Sequence, residues 1–148
     1  MPSNPYASKI SARLVKLILT FVDDHDLGHV TTEAGGYKIG FHERYAPDVA
    51  FVSKARQAQL NTSGYNDVPP DLAVDVEFPT DLASEKRLRY KVTSYLNVGT
   101  TVWVVYPETK AVEIYAPGQP VQFLSEKDTL TGGDVLKGFS VPLTEVFK

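Results

Sequence analysis

The sequence predicts an α/β protein in which helices flank a mixed central sheet. Apolar residues spaced three and four apart between Asn4 and Asp24 indicate an amphipathic helix before the first strand-like segments. A second helical pattern, Ala83 to Val98, lies between the strand patterns Asp71 to Phe78 and Thr101 to Tyr106. Strands joined by a helix usually pair in parallel, whereas short turns elsewhere imply antiparallel pairs. The sheet is therefore expected to be mixed.

Length and composition predict one soluble domain, residues 1–148. The chain is 43% apolar and 22% charged, which is ordinary for a globular protein. The absence of cysteine excludes disulfides, thiolate zinc sites and cysteine nucleophiles. A net charge of −3 argues against a protein that coats nucleic acid, but it allows a local basic groove. The longest apolar stretch near the N-terminus, Leu17 to Val22, is too short to span a bilayer and follows no signal-peptide pattern, so a cytoplasmic protein is expected.

The first half of the chain predicts a helix, three strands and a loop. Pro5 and Ser8 are helix-start signals, and Gly28 ends the first helix. The segments His29 to Glu33 and Tyr37 to Phe41 flank Ala34-Gly35-Gly36, which predicts a hairpin. Val49 to Val52 is the third strand. The polar residues 53–70 predict a long surface loop.

The second half predicts a strand, a helix, a strand and then a β meander. In Asp71 to Phe78, side chains alternate between faces, so Asp75 and Glu77 share one face. Thr80 or Asp81 can cap the next helix, and Gly99 ends it. The β-branched and aromatic strand that follows is expected to be buried on both faces. The meander strands are Ala111 to Tyr115 and Val121 to Leu124.

Three carboxylates interrupt apolar strands and are candidates for a metal site. Asp48 precedes the apolar run Val49 to Val52, and Asp75 and Glu77 lie within a hydrophobic strand. Buried carboxylates are costly unless they are paired or bind a metal, and without a cysteine or histidine set they favour Mg²⁺ or Mn²⁺. The alternatives are that Asp75 and Glu77 lie on the solvated face of an edge strand and that Asp48 is a turn residue.

Basic residues on the second helix could face these carboxylates. Lys91 follows Leu88 by three residues and borders the apolar stripe, so it can lean toward Asp75 or extend along the helix flank into solvent. Lys86 and Arg87 belong to a basic cluster that is either a solvated face or a phosphate-binding patch. The three histidines lack metal-ligand spacing, and Gly132-Gly133 lacks the context of a phosphate-binding loop.

Six ordered segments carry a resemblance to a known family. They cover nearly the whole chain and read YAPDVAFV from Tyr45, PDLAVDV from Pro70, PTD from Pro79, KVTSYLNVG from Lys91, VWVV from Val102 and LTGGDVLKGF from Leu130. In these segments the chain resembles the Uma-two family of restriction-endonuclease-like proteins. The resemblance implies a restriction-endonuclease-like fold of the PD-(D/E)XK nuclease superfamily.

The resemblance also implies roles for individual residues. Asp48 matches the aspartate of the family's Pro-Asp motif and Asp75 its second acid, both metal ligands in active superfamily members, with the backbone carbonyl of Val76 as a further ligand. The superfamily lysine normally lies two positions after that acid, where this chain has Glu77. Lys91 matches a lysine moved onto the helix, and Glu33 is a weaker match to an acidic position. Lys137 stands where the family usually has proline.

Three functions follow as hypotheses. The first is a Mg²⁺- or Mn²⁺-dependent nuclease acting on DNA, in which Asp48, Asp75 and Lys91 are catalytic, Glu77 adds to the metal site, and Lys86 and Arg87 contact the DNA backbone. A homodimer is expected because duplex DNA has two strands, with the 53–70 loop as its candidate contact. The second is a catalytically inactive module that binds nucleic acid or protein, with Glu77 as the cause. The third, two-carboxylate glycoside chemistry, needs an exposed aromatic groove, whereas the single Trp103 is expected to be buried.

Overall fold

The computed structural model describes residues 4–148, and these residues form three helices and ten strands. The helices are α1 (Pro5–Asp24), α2 (Leu82–Asn97) and α3 (Leu143–Val146). The strands are β1 (Gly28–Thr32), β2 (Tyr37–Ile39), β3 (Glu43–Tyr45), β4 (Val49–Ser53), β5 (Leu72–Val76), β6 (Thr101–Tyr106), β7 (Ala111–Tyr115), β8 (Gln122–Leu124), β9 (Thr129–Thr131) and β10 (Ser140–Pro142). The predicted order of helices and strands is confirmed, and β3, β9, β10 and α3 are additional.

Six strands form a mixed central sheet in the order β1-β4-β5-β6-β7-β8. Only β5 and β6 are parallel, with Asp75 opposite Val104, and α2 connects them as predicted. The other neighbours are antiparallel, including the predicted meander of β6, β7 and β8. This mixed sheet between helices confirms the predicted fold class.

The predicted hairpin between the first two strands is wrong. Strand β1 pairs with β4, and β2 pairs with β3 in a separate two-stranded sheet. The turn at Gly35 exists, because its N–H donates to the Thr32 carbonyl at 3.0 Å. After the turn the chain moves to the α2 side, where Lys38 N–H donates to the Asn66 carbonyl at 3.0 Å. A turn signal predicts a chain reversal but does not specify the pairing partner.

Ser53 ends β4, and the rest of the predicted 53–70 loop, residues 54–70, has no regular helix or strand, but it is anchored. Its Asn66 is only 6% exposed and pairs with Tyr37 in an isolated parallel bridge. The Asn66 side chain also donates to the Val68 carbonyl at 2.9 Å and accepts from Asn61 N–H at 3.0 Å. The bridge holds the loop against the edge of β2, and the two side-chain bonds fix the conformation of the loop itself.

Two apolar layers cover the faces of the central sheet. On one face α1 buries its stripe of Ile10, Leu14, Ile18 and Val22 against alternate strand residues, together with Trp103. On the other face α2 and the β2–β3 hairpin pack around Tyr95. Side chains alternate along β5, so Val74 and Val76 face α1 while Ala73 faces α2.

Local signals position α2 as the sequence predicts. Asp81 caps the helix, since its side chain accepts from Ser84 N–H at 2.8 Å, and Ser84 completes a capping box. Gly99 follows the helix with φ of +85°, a conformation that favours glycine. These two signals set the ends of α2 and thereby the height of Lys91 above the sheet.

Candidate active site

Asp48 and Asp75 meet at one end of two adjacent central strands. The antiparallel register pairs Val49 with Val74, so Asp48 lies opposite Asp75 one position beyond the paired residues. The Asp48 Oδ2 atom accepts a hydrogen bond from Val76 N–H at 2.7 Å. The structure therefore brings together the two predicted acids and the predicted Val76 backbone position.

Asp75 lies in the interior of the sheet. Strand β5 runs between β4 and β6, and Asp75 is only 5% exposed. The alternative of a solvated edge strand is therefore wrong for Asp75. Glu77 lies just after β5, where its N–H donates to the Val105 carbonyl at 2.8 Å, and its side chain is partly exposed.

Lys91 reaches from α2 to both acids of the β5 segment. Its Nζ atom lies 3.3 Å from Asp75 Oδ2 and 3.3 Å from Glu77 Oε1. The side chain turns inward because Leu88, Val92 and Tyr95, which flank it on the helix, are buried against the sheet. Lys91 is thus ion-paired at the candidate site, and it does not extend along the helix flank into solvent.

Burial and mutual repulsion determine the charges of these groups. Burial raises the pKa of Asp48 to about 6; Asp75 and Glu77 add to the rise, while the Val76 N–H and Lys91 oppose it. Burial also raises the pKa of Glu77, against the effect of Lys91. Burial lowers the pKa of Lys91, but Asp75 and Glu77 outweigh it, so the net shift is upward. Three carboxylates share one ammonium group, and a bound cation would relieve the excess negative charge.

Two buried polar atoms at this site have no hydrogen-bond partner. Lys91 is aligned to donate to Glu77 but not to Asp75, so Asp75 Oδ2 is left without a hydrogen bond, as is the Tyr95 hydroxyl. Burial raises the pKa of Tyr95, and Asp75 adds to this effect, so the hydroxyl keeps its proton. An unsatisfied buried carboxylate oxygen beside an unused hydroxyl is the kind of position that a bound ion or water completes.

The donor set fits a hard divalent cation. Asp48, Asp75 and the Val76 carbonyl offer only oxygen, which suits Mg²⁺ or Mn²⁺. Among residues 4–148, no group of three histidine or acidic side chains is placed so that it could hold a metal ion. Mg²⁺ usually binds one or two carboxylates and fills its remaining positions with water and substrate phosphate. Two aspartates therefore suffice for this type of site.

A cleft of about 790 Å³ opens beside Lys91 and Glu77. Lys86 and Arg87 line the same cleft, so the predicted basic residues lie near the candidate site. Asp48 and Asp75 do not line it; the ion pair of Lys91 with Asp75 connects the cleft to the buried acids.

The cleft also contains residues that the sequence analysis did not single out. Glu43 lies in the wall formed by β3 and accepts hydrogen bonds from Tyr90 at 2.8 Å and from Tyr45 at 3.2 Å. Glu43 was missed because β3 was not predicted. Alternation of Glu43 and Tyr45 just before the Pro47-Asp48 motif was the available signal.

Glu33 has no contact with the site in the structure. It is exposed in the turn after β1, and no hydrogen bond or ion pair found within residues 4–148 joins it to Asp48, Asp75 or Lys91. The ring of His29, one of the three histidines, bonds through Nε2 to the Ala58 carbonyl at 3.0 Å.

No helix in the described part of the chain has the length and apolar character needed to cross a membrane. A search of curated proteins found no match. Among solved structures, a crystal structure from Anabaena variabilis, described as a putative nuclease of the DUF820 family, matches with a TM-score of 0.81. The two sequences are 17% identical, and the match covers 99% of this chain and 82% of the Anabaena variabilis chain. This structural likeness establishes the fold.

A family model described as "putative restriction endonuclease" matches residues 1–144. The match spans all the strands and the acids of β4 and β5 that form the candidate site. The chain therefore belongs to the Uma2 family, whose description supports a nuclease-type function.

Proposed function

We propose that this protein is a Mg²⁺- or Mn²⁺-dependent nuclease that hydrolyses phosphodiester bonds in DNA. The observation that carries the proposal is the convergence of Asp48, Asp75 and Lys91 at one end of β4 and β5, where Asp75 Oδ2 is buried without a hydrogen bond. Two carboxylates and a lysine, beside a cleft lined by Lys86 and Arg87, are a set of groups that can carry out metal-assisted phosphodiester hydrolysis.

Each residue has a role in this proposal. Asp48 and Asp75, with the Val76 carbonyl, hold the cation, which when bound polarises the phosphodiester as a Lewis acid. Lys91 stabilises the negative charge that develops on the phosphate, as an ammonium point charge can. Lys86 and Arg87 bind backbone phosphates at the mouth of the cleft.

Glu77 acts as a positioning residue for Lys91. It stands where the superfamily lysine would lie, and its Oε1 atom accepts a hydrogen bond from Lys91 Nζ at 3.3 Å. Glu77 would keep the Lys91 amine at the site if Asp75 were engaged in holding a cation. Lys91 on the helix thereby takes the place of the superfamily lysine, whose position after the strand is occupied here by Glu77.

One observation favours a second candidate, the catalytically inactive binding module. Lys91 Nζ lies 3.3 Å from Asp75 Oδ2, so the amine and a cation would compete for the same carboxylate. If the Lys91 amine excludes the cation, the cleft still binds nucleic acid or protein but catalyses no reaction. The glycoside hypothesis is not carried forward, because Trp103 is 1% exposed and lies in the α1-side core.

A cleavage assay on supercoiled plasmid tests the proposal. Wild type is compared with Asp75→Asn and Lys91→Met, in Mg²⁺, Mn²⁺ and EDTA. The matched controls are Asp71→Asn, an aspartate at the opposite end of the strand, and Lys54→Met, an exposed lysine paired with Asp26.

We expect metal-dependent nicking that is lost in both site variants and retained in both controls. Cleavage that persists in Lys91→Met contradicts the role of Lys91. Cation binding without cleavage of plasmid, single strand or RNA favours the inactive module.

Three further expectations belong to the same proposal: that residues 1–148 act as one domain, that the protein is cytoplasmic, and that it works as a homodimer. The dimer is the expectation for a duplex DNA substrate, whose two strands would each be served by one subunit, and the 53–70 loop is the first contact to test. Sedimentation of the purified protein with and without DNA measures the oligomeric state.

A further inference from the structure

Phe41 stands in solvent at the tip of the β2–β3 hairpin. Its side chain is 94% exposed, whereas Tyr37 and Ile39, which precede it at alternate positions, are each 1% exposed. The alternation stops at Gly40, whose φ of +66° turns the chain out of β2. Phe41 therefore contributes no burial to the core, although the residues before it do.

The base of this hairpin is fixed to the candidate cleft. Glu43 lines the cleft and follows Phe41 by two residues, so their Cα atoms are at most about 7.6 Å apart. Tyr90 on α2 donates to Glu43 at 2.8 Å, and the ring of Tyr45 lies 5.2 Å from that of Tyr95. These contacts hold the exposed tip next to the cleft mouth.

Another exposed aromatic ring lines the cleft itself, whereas Phe41 lies next to it. Tyr90 is 61% exposed and lines the cleft together with Lys86 and Arg87. Aromatic rings beside a basic groove are the combination by which proteins bind single-stranded nucleic acid, since rings stack on bases while cations track the phosphates. The bases of an intact duplex are stacked on each other and cannot accept a ring without being unstacked.

We propose that the hairpin tip binds an unpaired base, so that the substrate class is a nucleic-acid strand with unpaired bases beside the scissile bond. Phe41 stacks on one base, Tyr90 contacts the next, and Lys86 and Arg87 bind the intervening phosphates. This inference rests on the proposed function, because the strand it describes is the one whose phosphodiester enters the cleft.

Fluorescence anisotropy in EDTA tests this without cleavage. A labelled single-stranded oligonucleotide and the matching duplex are titrated with wild type, Phe41→Ala, Phe41→Tyr and Phe123→Ala. Phe123 is the matched control, because it is 72% exposed on edge strand β8 and does not line the cleft. Sedimentation of the same proteins measures self-association.

We expect wild type to bind the single strand at least about tenfold more tightly than the duplex. Loss of one stacked base weakens binding by about five- to 150-fold, so Phe41→Ala should lose at least about fivefold. The affinities of Phe41→Tyr and Phe123→Ala for the single strand should stay within about twofold of the wild-type affinity. The first variant keeps an aromatic ring at the tip, and the second changes a residue that does not line the cleft.

Four outcomes overturn the inference. The first is that wild type binds the duplex more tightly than the single strand, and the second is that Phe41→Ala binds the single strand as tightly as wild type does. The third is that Phe123→Ala loses as much affinity as Phe41→Ala. The fourth is that Phe41→Ala dissociates a dimer without loss of strand binding, which would mean that the tip contacts a second copy of the chain. If plasmid is still cleaved in these cases, the proposed function stands. Wild type that neither binds nor cleaves nucleic acid contradicts both.

Discussion

Replacing Asp48 with asparagine is expected to make the protein more stable at neutral pH. Asp48 is half-buried, its pKa is raised to about 6 from an ordinary value of 3.8, and Asp75 and Glu77 add to that rise. A raised carboxyl pKa means that the folded state binds the proton more tightly than the unfolded state does. The ionised carboxylate therefore destabilises the fold.

The size and pH range of the effect follow from this shift. A difference of about two pKa units corresponds to about 3 kcal/mol, and the partial exposure of Asp48 reduces it to about 1–2 kcal/mol. The destabilisation is absent below about pH 3, grows mainly as pH rises from about 4 to 6, and is complete above about pH 7. Asparagine removes it and keeps a carbonyl oxygen to accept the Val76 N–H.

Urea unfolding in EDTA, followed by the fluorescence of the buried Trp103, measures this difference. With a urea m-value of about 2 kcal/mol/M, the midpoint of Asp48→Asn should rise by about 0.5–1 M at pH 7.5 and by about a third as much at pH 4.5. Asp71→Asn is the control, for which the opposite change in the free energy of unfolding is expected. Asp71 accepts a hydrogen bond from Ser53 N–H at 2.6 Å and faces Arg56 Nε at 3.4 Å, so its neutralisation should destabilise.

Two results would refute the reasoning. The first is an Asp48→Asn variant that is less stable than wild type at pH 7.5. The second is a stabilisation of the same size at pH 4.5 and 7.5, which would mean that it does not come from the ionised carboxylate. A site that destabilises its own fold is expected where function requires clustered charge.

Three further predictions concern the cation and the core. In differential scanning fluorimetry, Mn²⁺ at ten times its Kd should raise the Tm of wild type by about 3–6 °C and should leave the Tm of Asp75→Asn unchanged. Equal Tm shifts in the two proteins would mean that the ion binds elsewhere. Calorimetric Mn²⁺ affinity should fall about tenfold between pH 7 and pH 5, because the pKa of Asp48 lies at about 6 and a protonated carboxyl is a poor ligand; a flat profile would argue against Asp48 as a ligand. In α1, Leu14→Ala should cost about 2–5 kcal/mol of unfolding free energy because Leu14 is fully buried, whereas the exposed Leu19→Ala should cost under about 1 kcal/mol; equal costs in chemical denaturation would contradict the assigned helix face.

Several features of the fold could be predicted because each depends on neighbouring residues in the chain. The stripe of α1, the Asp81 cap and Gly99 at the end of α2 are all local signals. The parallel pairing of β5 with β6 followed from the helix between them. The acids were identifiable because Asp48 and Asp75 interrupt apolar segments, where an unpaired charge is costly.

Other features depended on contacts between residues far apart in the chain. Whether β1 pairs with β2 or β4 is decided by the packing of Tyr37 and Ile39 against α2, which no local pattern encodes. For the same reason, the sequence left open whether Lys91 turns inward and could not indicate that Glu43 lines the cleft.

The sequence by itself therefore determined the two long helices α1 and α2, the crossover and the identity of the buried acids. The tertiary structure decided which residues meet those acids. The secondary structure of a residue depends on its neighbours within a few positions of the chain, whereas the contacts of its side chain depend on how whole helices and strands pack. Asp75 shows both parts, because its strand was readable from the alternation, but its burial, its ion pair with Lys91 and its unsatisfied oxygen arise only when α2 lies across the sheet.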